Sequence, residues 1–209
     1  MARYIGAVCK LCRREGTKLY LKGERCFSDK CSVTRRPYPP GQHGQGRFKM
    51  SEYGLRLREK QKTRRIYGLL EKQFRGYYTI AASMKGRTGE QMLGLLEGRL
   101  DNLMLRAGFA STRAQGRQLV RHNHVLVNGK RVNIPSYPLK AGDKVEVREK
   151  SRKIGLVVAS LEAAQGRPLP SWVEVDKANF SAVFRGAPPR EELQDPAVRE
   201  QYVVEYYSR

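Results

Sequence analysis

Apolar residues recur at spacings of three and four along the middle of this chain, which is the period of an α-helix that faces a core. Three helices are predicted between residue 51 and about residue 107, with Ser51 and Glu52 as a cap for the first and Gly108 as the end of the last. The third contains the clearest apolar stripe, which consists of Met92, Leu95, Leu96, Leu100, Leu103 and Met104. The pattern therefore predicts a helical body.

A different pattern runs from residue 109 to about residue 149. Ser111 is predicted to cap a helix that ends near His122. An Asn128-Gly129 pair then separates two short stretches, and Asn-Gly between strands is a strong hairpin signal. The predicted strands are Val125–Val127, Arg131–Asn133 and Val145–Val147. This part is expected to form a small unit of its own.

The flanking segments carry weaker patterns. Residues 1–50 are rich in Gly, Pro, Cys and basic residues, which predicts an irregular region that cannot close a core alone. Residues 151–165 are predicted to be helical, and 166–209 to form short strands and loops that end in a strand from Tyr202 to Tyr207. The fold class is therefore α+β.

Charge narrows the function. The 209 residues include 41 Lys and Arg against 20 Asp and Glu, a formal net charge of +21, and the first 75 residues hold two thirds of that excess. Such a chain repels itself unless an anionic partner neutralises it. Three classes of anionic partner could neutralise it: nucleic acid, an anionic membrane or an acidic protein. Cations spread along most of the chain favour a long polyanion. With no apolar run of about 18 residues and no apolar leader, a membrane span or a signal peptide is not expected.

All four cysteines lie within the first 31 residues, as Cys9-x2-Cys12 and Cys26-x4-Cys31. Two close pairs joined by a loop suit a tetrahedral ion held by four thiolates, and neighbouring cations would favour the thiolate forms. A closed site of this kind is structural and would hold together a segment too polar to fold otherwise. Zinc is favoured, and an iron–sulfur cluster is the alternative metal site. The plainer alternatives are four unrelated thiols or two disulfides, and disulfides are not expected without secretion.

Three basic stretches are candidates for RNA contact. Residues 35–45 combine arginines with stiff prolines and with glycines that allow close backbone approach, and residues 55–65 form a helix with cations nearly all round. Arg113, Arg117 and Arg121 recur every four residues before a basic hairpin. The plainer alternatives are a solvated linker, a solvated helix face and ordinary surface histidines at His122 and His124. The candidate contacts are Arg3, Arg13, Arg14, Arg35, Arg36, Tyr38, His43, Arg56, Arg58, Lys60, Lys62, Arg64, Arg65, Arg113, Arg117, Arg121, His122, Asn128, Lys130 and Arg131.

Catalysis is not expected. None of the three histidines lies in a pattern that suggests a nucleophile, and no phosphate-binding or dinucleotide-binding glycine loop is present. No small-molecule substrate is expected.

The chain resembles the bacterial S4 family of small-subunit ribosomal proteins over essentially its whole length. The stretches that carry the resemblance are RRPYPPGQHGQ at 35–45, LREKQKTRRIYG at 57–68, LLEGRLDN at 95–102, RQLVRHNHVLVNG at 117–129 and EYYS at 205–208. The resemblance implies a mostly helical body, 51–96 and 159–209, with C-terminal strands. It also implies an inserted RNA-binding module, 97–158, of two helices and short antiparallel strands, and a basic metal-binding region, 1–50.

The resemblance also implies a function: early binding to small-subunit rRNA at a helix junction of the 5′ domain, which nucleates assembly in the cytoplasm. It implies contact with neighbouring small-subunit proteins near the mRNA entrance and an effect on decoding accuracy. Some members repress their own mRNA, and the metal-bearing members place ligands where Cys9, Cys12, Cys26 and Cys31 stand here. An RNA-modifying enzyme that shares the module, and a repressor that acts only on mRNA, are the alternative classes.

Two positions depart from the family pattern. Gly116 stands where the module usually has Ala, so its helix is expected to lose about 1 kcal/mol unless it is packed or bound to RNA. Thr112 stands at a position that is often basic, which argues against an RNA contact there.

Overall fold

A computed structural model describes residues 3–46, 49–166, 168–193 and 198–208. The chain divides into two compact units, one made of residues 1–93 and 193–209 and the other of residues 94–192. No helix in the described ranges is long and apolar enough to cross a membrane.

Helices dominate the described part of the chain. In order, the α-helices are α1 (Val8–Glu15), α2 (Ser32–Arg35), α3 (Glu52–Ile66), α4 (Glu71–Ser83), α5 (Thr88–Glu97), α6 (Leu100–Arg106), α7 (Arg113–Arg121), α8 (Glu149–Arg152), α9 (Gly155–Ala163) and α10 (Glu200–Tyr207). Short 3₁₀ helices span Gly23–Cys26 and Arg190–Glu192. The strands are β1 (Val125–Val127), β2 (Lys130–Arg131), β3 (Lys144–Val147), β4 (Val173–Asp176) and β5 (Ser181–Phe184). The mixed α+β class is therefore confirmed.

The N-terminal unit is helical, and its long helices begin where the sequence predicts. The Ser51 hydroxyl accepts a hydrogen bond from the Gly54 amide at 3.1 Å, which confirms the cap of α3. Phe74 of α4 and Val203 of α10 are fully buried in its core. Residues 1–50 are less irregular than expected, since α1 forms two helical turns there and ends at Gly16 with a left-handed backbone, φ 67°.

The predicted C-terminal strand is wrong, because residues 200–207 form the helix α10. Tyrosines and β-branched valines favour strands when judged alone. Here α10 packs along α3, with Val203 fully buried and the Tyr206 and Tyr207 rings beside Lys60. Packing of one helical face against α3 therefore overrides the local preference.

The second unit contains a five-stranded antiparallel sheet in the order β2-β1-β3-β5-β4. The predicted hairpin is confirmed: Asn128 and Gly129 both have positive φ, 50° and 75°, as a type I′ turn requires. Its second strand is shorter than Arg131–Asn133 and begins one residue earlier. Because β5 pairs with β3, residues 159–192 lie in the same unit as the 97–158 segment.

The predicted third helix is two helices, α5 and α6. The chain extends at Arg99, which forms a β-bridge with Pro138, and the Leu100 amide donates to the carbonyl of Tyr137 at 3.1 Å. Most of the predicted apolar stripe is buried, but Leu95 is only half-buried. The break therefore serves to pair this backbone with the segment before β3.

Helix α7 begins one residue later than predicted. The Thr112 hydroxyl accepts from the Gln115 amide at 3.2 Å, so Thr112 and not Ser111 is its cap. Ser111 instead donates through its hydroxyl to the Gln115 side chain at 2.6 Å. The structural use of Thr112 explains why a non-basic residue is accommodated at this position.

Gly116 has a packing reason. A Cβ at this position would lie 2.6 Å from the carbonyl oxygen of Asp101 and 3.1 Å from the Cβ of Met104. Helix α7 therefore approaches α6 so closely that only glycine fits, and this contact offsets the helix propensity that glycine loses.

We predict opposite effects for two Gly→Ala substitutions. Gly116→Ala is expected to destabilise the protein by about 1–3 kcal/mol, because the added methyl meets backbone that cannot move freely. Gly76→Ala in α4, where a Cβ would meet nothing within 4 Å, is expected to stabilise it by up to about 1 kcal/mol. Urea unfolding followed by circular dichroism measures both, and equal effects would contradict the packing argument.

Candidate nucleic-acid interface and cysteine cluster

The four cysteines come together in the N-terminal unit. Cys9 and Cys12 lie on α1, Cys26 ends the first 3₁₀ helix and Cys31 precedes α2. All four line one cavity of about 10 Å³, together with Lys18, Leu19, Lys22, Arg25 and Ser32. Cys12, Cys26 and Cys31 are buried, Cys9 is half-buried, and none forms a disulfide.

The cysteines in this cavity differ in the direction in which their pKa is shifted. Burial raises the pKa of Cys12 and Cys26. Burial also opposes ionisation of Cys31, but hydrogen bonds from the backbone of Val33 and Thr34, together with the charge of Lys18 and the Thr34 side chain, lower the pKa of Cys31 overall. Among the described residues, no group of three or more His, Cys, Asp or Glu side chains is arranged to hold a metal ion. The thiols thus share a cavity without forming a closed ligand set.

The 35–45 loop is held by α1. Arg13 donates from Nε to the carbonyl oxygen of Tyr38 at 3.0 Å, and its guanidinium lies 4.9 Å from the centre of the Tyr38 ring. Gly44 is required, because a Cβ there would meet the carbonyl oxygen of Pro39 at 2.0 Å. Arg35, Arg36 and His43 remain exposed. The loop therefore offers cations from a fixed backbone.

The cations of α3 are largely paired within the protein. Arg56 contacts Glu205 at 2.6 Å and Glu52 at 3.2 Å. The remaining pairs are Lys60–Glu71 at 2.9 Å, Lys62–Glu59 at 2.8 Å, Arg64–Glu71 at 3.8 Å, Arg58–Glu15 at 3.4 Å and a close Arg65–Glu15 pair. Local sequence shows only Glu59 among these cations, because most of the partners come from distant segments. The prediction that this helix presents free cations on nearly all sides is therefore wrong: Lys60 and Lys62 are buried, and carboxylates partly neutralise the others.

Lys60 is the most buried of these cations, at 3% exposure. Its Nζ lies 4.7 Å from the centre of the Tyr206 ring, and Tyr207 donates to Glu71 at 2.7 Å. Burial raises the pKa of Tyr207 far above its usual range. Lys60 thus acts as an internal anchor for α10, and its predicted RNA contact finds no exposed surface.

The arginine stripe of α7 divides in a similar way. Arg113 donates to the Asn102 amide oxygen at 2.7 Å and lies 3.6 Å from Glu97. Arg117, 7% exposed, lies 3.4 Å from Asp101. Only Arg121 faces solvent. Two of the three predicted contacts therefore belong to a buried network.

That network is built on Glu97, which is 1% exposed. Its carboxylate accepts two hydrogen bonds from Arg106, at 2.9 and 3.0 Å, and one from the Asn102 amide at 2.6 Å. Arg99, also buried, forms a two-pronged pair with Asp101 at 2.7 and 3.0 Å. These contacts join α5, α6 and α7 through charge as well as apolar packing.

The basic hairpin is exposed. Arg121, His122, Lys130 and Arg131 all face solvent. Asn128, in contrast, is used in the turn: its side chain donates to Asp143 and accepts from the Lys144 amide, both at 2.9 Å. His124 bonds Ser151 at 2.8 Å, and burial lowers the pKa of His124.

Sequence reasoning missed two exposed lysines, Lys140 and Lys144. The Asn128 amide donates to the carbonyl of Lys144 at 2.8 Å, which brings β3 beside the hairpin turn. The position of Lys144 beside the turn depends on a pairing between residues 16 positions apart, so no local sequence motif could have predicted it.

Comparison with known proteins is consistent along the whole chain. The family model for the ribosomal protein S4/S9 N-terminal domain matches residues 3–97, and the S4 domain model matches residues 98–145. Similar proteins include small ribosomal subunit protein uS4 of Syntrophobacter fumaroxidans, 60% identical, that of Desulforapulum autotrophicum, 59%, and that of Citrifermentans bemidjiense, 57%. Each alignment spans 209 residues and covers 100% of both chains.

The buried network gives a stability prediction. Glu97→Gln leaves Arg106 and Arg113 without their carboxylate and is expected to cost about 3–5 kcal/mol, the range for breaking a buried ion pair. Glu174→Gln is the control, because its pair with Arg185 is exposed on both sides and is expected to be worth less than about 1 kcal/mol. Chemical unfolding compares the two, and similar small losses would show that the network is not structural.

Proposed function

This chain belongs to the ribosomal protein uS4 family, and from that premise we propose that it is a structural, rRNA-binding component of the small ribosomal subunit, not an enzyme. The observation that carries the proposal is the identity of 57–60% with uS4 proteins along all 209 residues. As part of the ribosome it works in the cytoplasm. A net charge of +21 suits a protein that is neutralised by folded RNA.

We place the RNA contacts on the exposed cations. The loop with Arg35, Arg36 and His43 and the hairpin with Lys130 and Arg131 present positive charge on fixed backbone. Phosphate contacts of this kind orient a protein on RNA, and shape supplies the selectivity. Arg3, Arg14, Arg121 and His122 belong to the same exposed set.

The paired cations are assigned a supporting role. Lys60 is buried against the Tyr206 ring and Arg117 beside Asp101, so they hold α10 and α7 in position, whereas Lys62 is buried beside Glu59 of its own helix. Arg56, Arg58, Arg64, Arg65 and Arg113 are half-buried, so each can share its charge between a carboxylate and a nearby phosphate. Arg13 and Tyr38 fix the loop, and Asn128 fixes the hairpin turn.

The finer functions also belong to the proposal. We propose that the chain binds a helix junction in the 5′ domain of the rRNA early and so nucleates assembly of the subunit body. Contacts with neighbouring small-subunit proteins near the mRNA entrance would then influence decoding accuracy. Its own mRNA is a second candidate ligand, because a surface that reads RNA shape accepts any RNA with the same fold.

We propose zinc as a structural ion at the cysteines. Four thiols line one cavity, and four thiolates are one of the usual ligand sets of structural zinc sites. When bound, the ion would crosslink α1, the 3₁₀ helix and the start of α2. The residues that would hold it are Cys9, Cys12, Cys26 and Cys31.

The salt dependence of binding tests the rRNA contact. The logarithm of the affinity for small-subunit rRNA is expected to fall linearly with the logarithm of salt concentration, and Arg131→Gln is expected to reduce the slope by about 1. Lys177→Gln, an exposed cation at the β4–β5 turn near the opposite edge of the sheet, should leave the slope unchanged. Filter binding at several salt concentrations measures both. A flat dependence in the unmodified chain would remove the proposed function.

Metal content tests the zinc site. Mass spectrometry of freshly purified, reduced protein under non-denaturing conditions is expected to show one zinc ion per chain. Cys31→Ser should lose it, whereas Ser32→Ala, which alters the same cavity without removing a thiol, should retain it. Metal-free wild-type protein would exclude the site, and visible absorbance with bound iron would favour the cluster.

A further inference from the structure

Helix α1 touches three different parts of the N-terminal unit within eight residues. Cys9 and Cys12 face the thiol cavity, Arg13 holds the 35–45 loop, and Glu15 contacts α3. Successive contacts lie less than one turn apart, and a two-turn helix moves as one body. A displacement of α1 at the cysteines therefore displaces Arg13 and Glu15 as well.

Glu15 ties α1 to α3 through buried charge. Its side chain is 1% exposed and accepts hydrogen bonds from Arg58 at 3.4 Å and from Arg65 at close range. Burial raises the pKa of this carboxyl against the opposing effect of Arg65 and Arg58. A carboxylate in this position depends on both arginines, because a buried charge without a partner is strongly unfavourable.

The two arginines depend on Glu15 in turn. They are seven residues apart, two turns along one face of α3, and their side chains are 23% and 18% exposed. One carboxylate between two guanidiniums leaves a net positive charge. Glu15 thus fixes the position of two cations that retain both surface and charge for a phosphate.

The 35–45 loop is linked to the thiol cavity from both sides. Arg13, one residue after Cys12, bonds the backbone of Tyr38. Helix α2 begins directly after Cys31 and ends at Arg35, and it packs on α1. Whatever fixes the cysteines therefore fixes the start of this loop and its attachment.

We propose that α1 couples zinc binding at the four cysteines to rRNA binding by α3 and the 35–45 loop, with Glu15 as the positioning residue. The coupling rests on the proposed function. Zinc would fix α1 before RNA arrives, so less conformational entropy is lost when RNA binds. Linkage then requires rRNA to tighten zinc binding by the same factor.

The test uses the full-length chain. Zinc affinity is measured by competition with a chromophoric chelator, with and without saturating small-subunit rRNA. We expect zinc to bind about 5- to 150-fold more tightly in the RNA complex, the usual range of coupling. The affinity for rRNA, measured with zinc and after chelation, should change by the same factor.

Glu15→Gln keeps the shape of the side chain and removes its charge, and it is expected to lower the coupling factor to the part that Arg13 and the 35–45 loop carry. Arg65→Gln should do the same, and the double variant should add little, because both changes break one contact. Glu24→Gln, an exposed acid near the same cavity, is the matched control. General loss of stability would weaken both affinities and leave their coupling factor intact, so this readout separates positioning from a purely structural role.

Each outcome decides a different point. Equal zinc affinity with and without rRNA overturns the coupling and leaves the proposed function standing. A loss of coupling in Glu24→Gln as large as in Glu15→Gln overturns the role of Glu15. Absence of zinc binding with intact rRNA binding removes both the ion and the coupling. Absence of rRNA binding removes the proposed function itself.

Discussion

Carboxylates that each serve two cations are the constraint on which this strongly basic fold depends. Four of them lie in the described part of the chain: Glu15 with Arg58 and Arg65, Glu71 with Lys60 and Arg64, Glu97 with Arg106 and Arg113, and Asp101 with Arg99 and Arg117. A chain with 41 cations and 20 acids cannot pair every charge. Sharing one carboxylate between two cations lets the helices pack closely and still leaves positive charge for a polyanion.

The same arrangement separates two kinds of cation. Arg117 and Lys60 lie inside, where they hold helices together, whereas Arg35 and Arg131 lie on a loop and a hairpin in contact with solvent. Burial decides the role, because a phosphate can reach only an exposed or half-exposed guanidinium. The spacing of the exposed cations depends on the buried ones, and cations at fixed spacing are what recognition of RNA by its shape requires.

Helix α1 shows how a small, polar segment can take part in a fold. Leu19 is fully buried beside it, but the remaining contacts are thiols, a guanidinium over a ring and a buried carboxylate. A region with so few apolar residues gains order from specific polar contacts and from any ion it binds. The 35–45 loop, which Arg13 holds, is therefore only as rigid as α1 itself.

The sequence by itself determined the helical body, the cap at Ser51, the Asn128-Gly129 hairpin, the grouping of the four cysteines at one place and the family, because each depends on local spacing or on a contiguous motif. Tertiary structure alone decided that residues 200–207 are a helix, that α5 and α6 separate at Arg99, that Gly116 is required and which arginines are inside. These features depend on partners far away in the chain: the α3 surface, Pro138, the Asp101 carbonyl and the carboxylates. Charge can be counted along a sequence, but whether a given cation meets a carboxylate or solvent is fixed only when distant segments pack together.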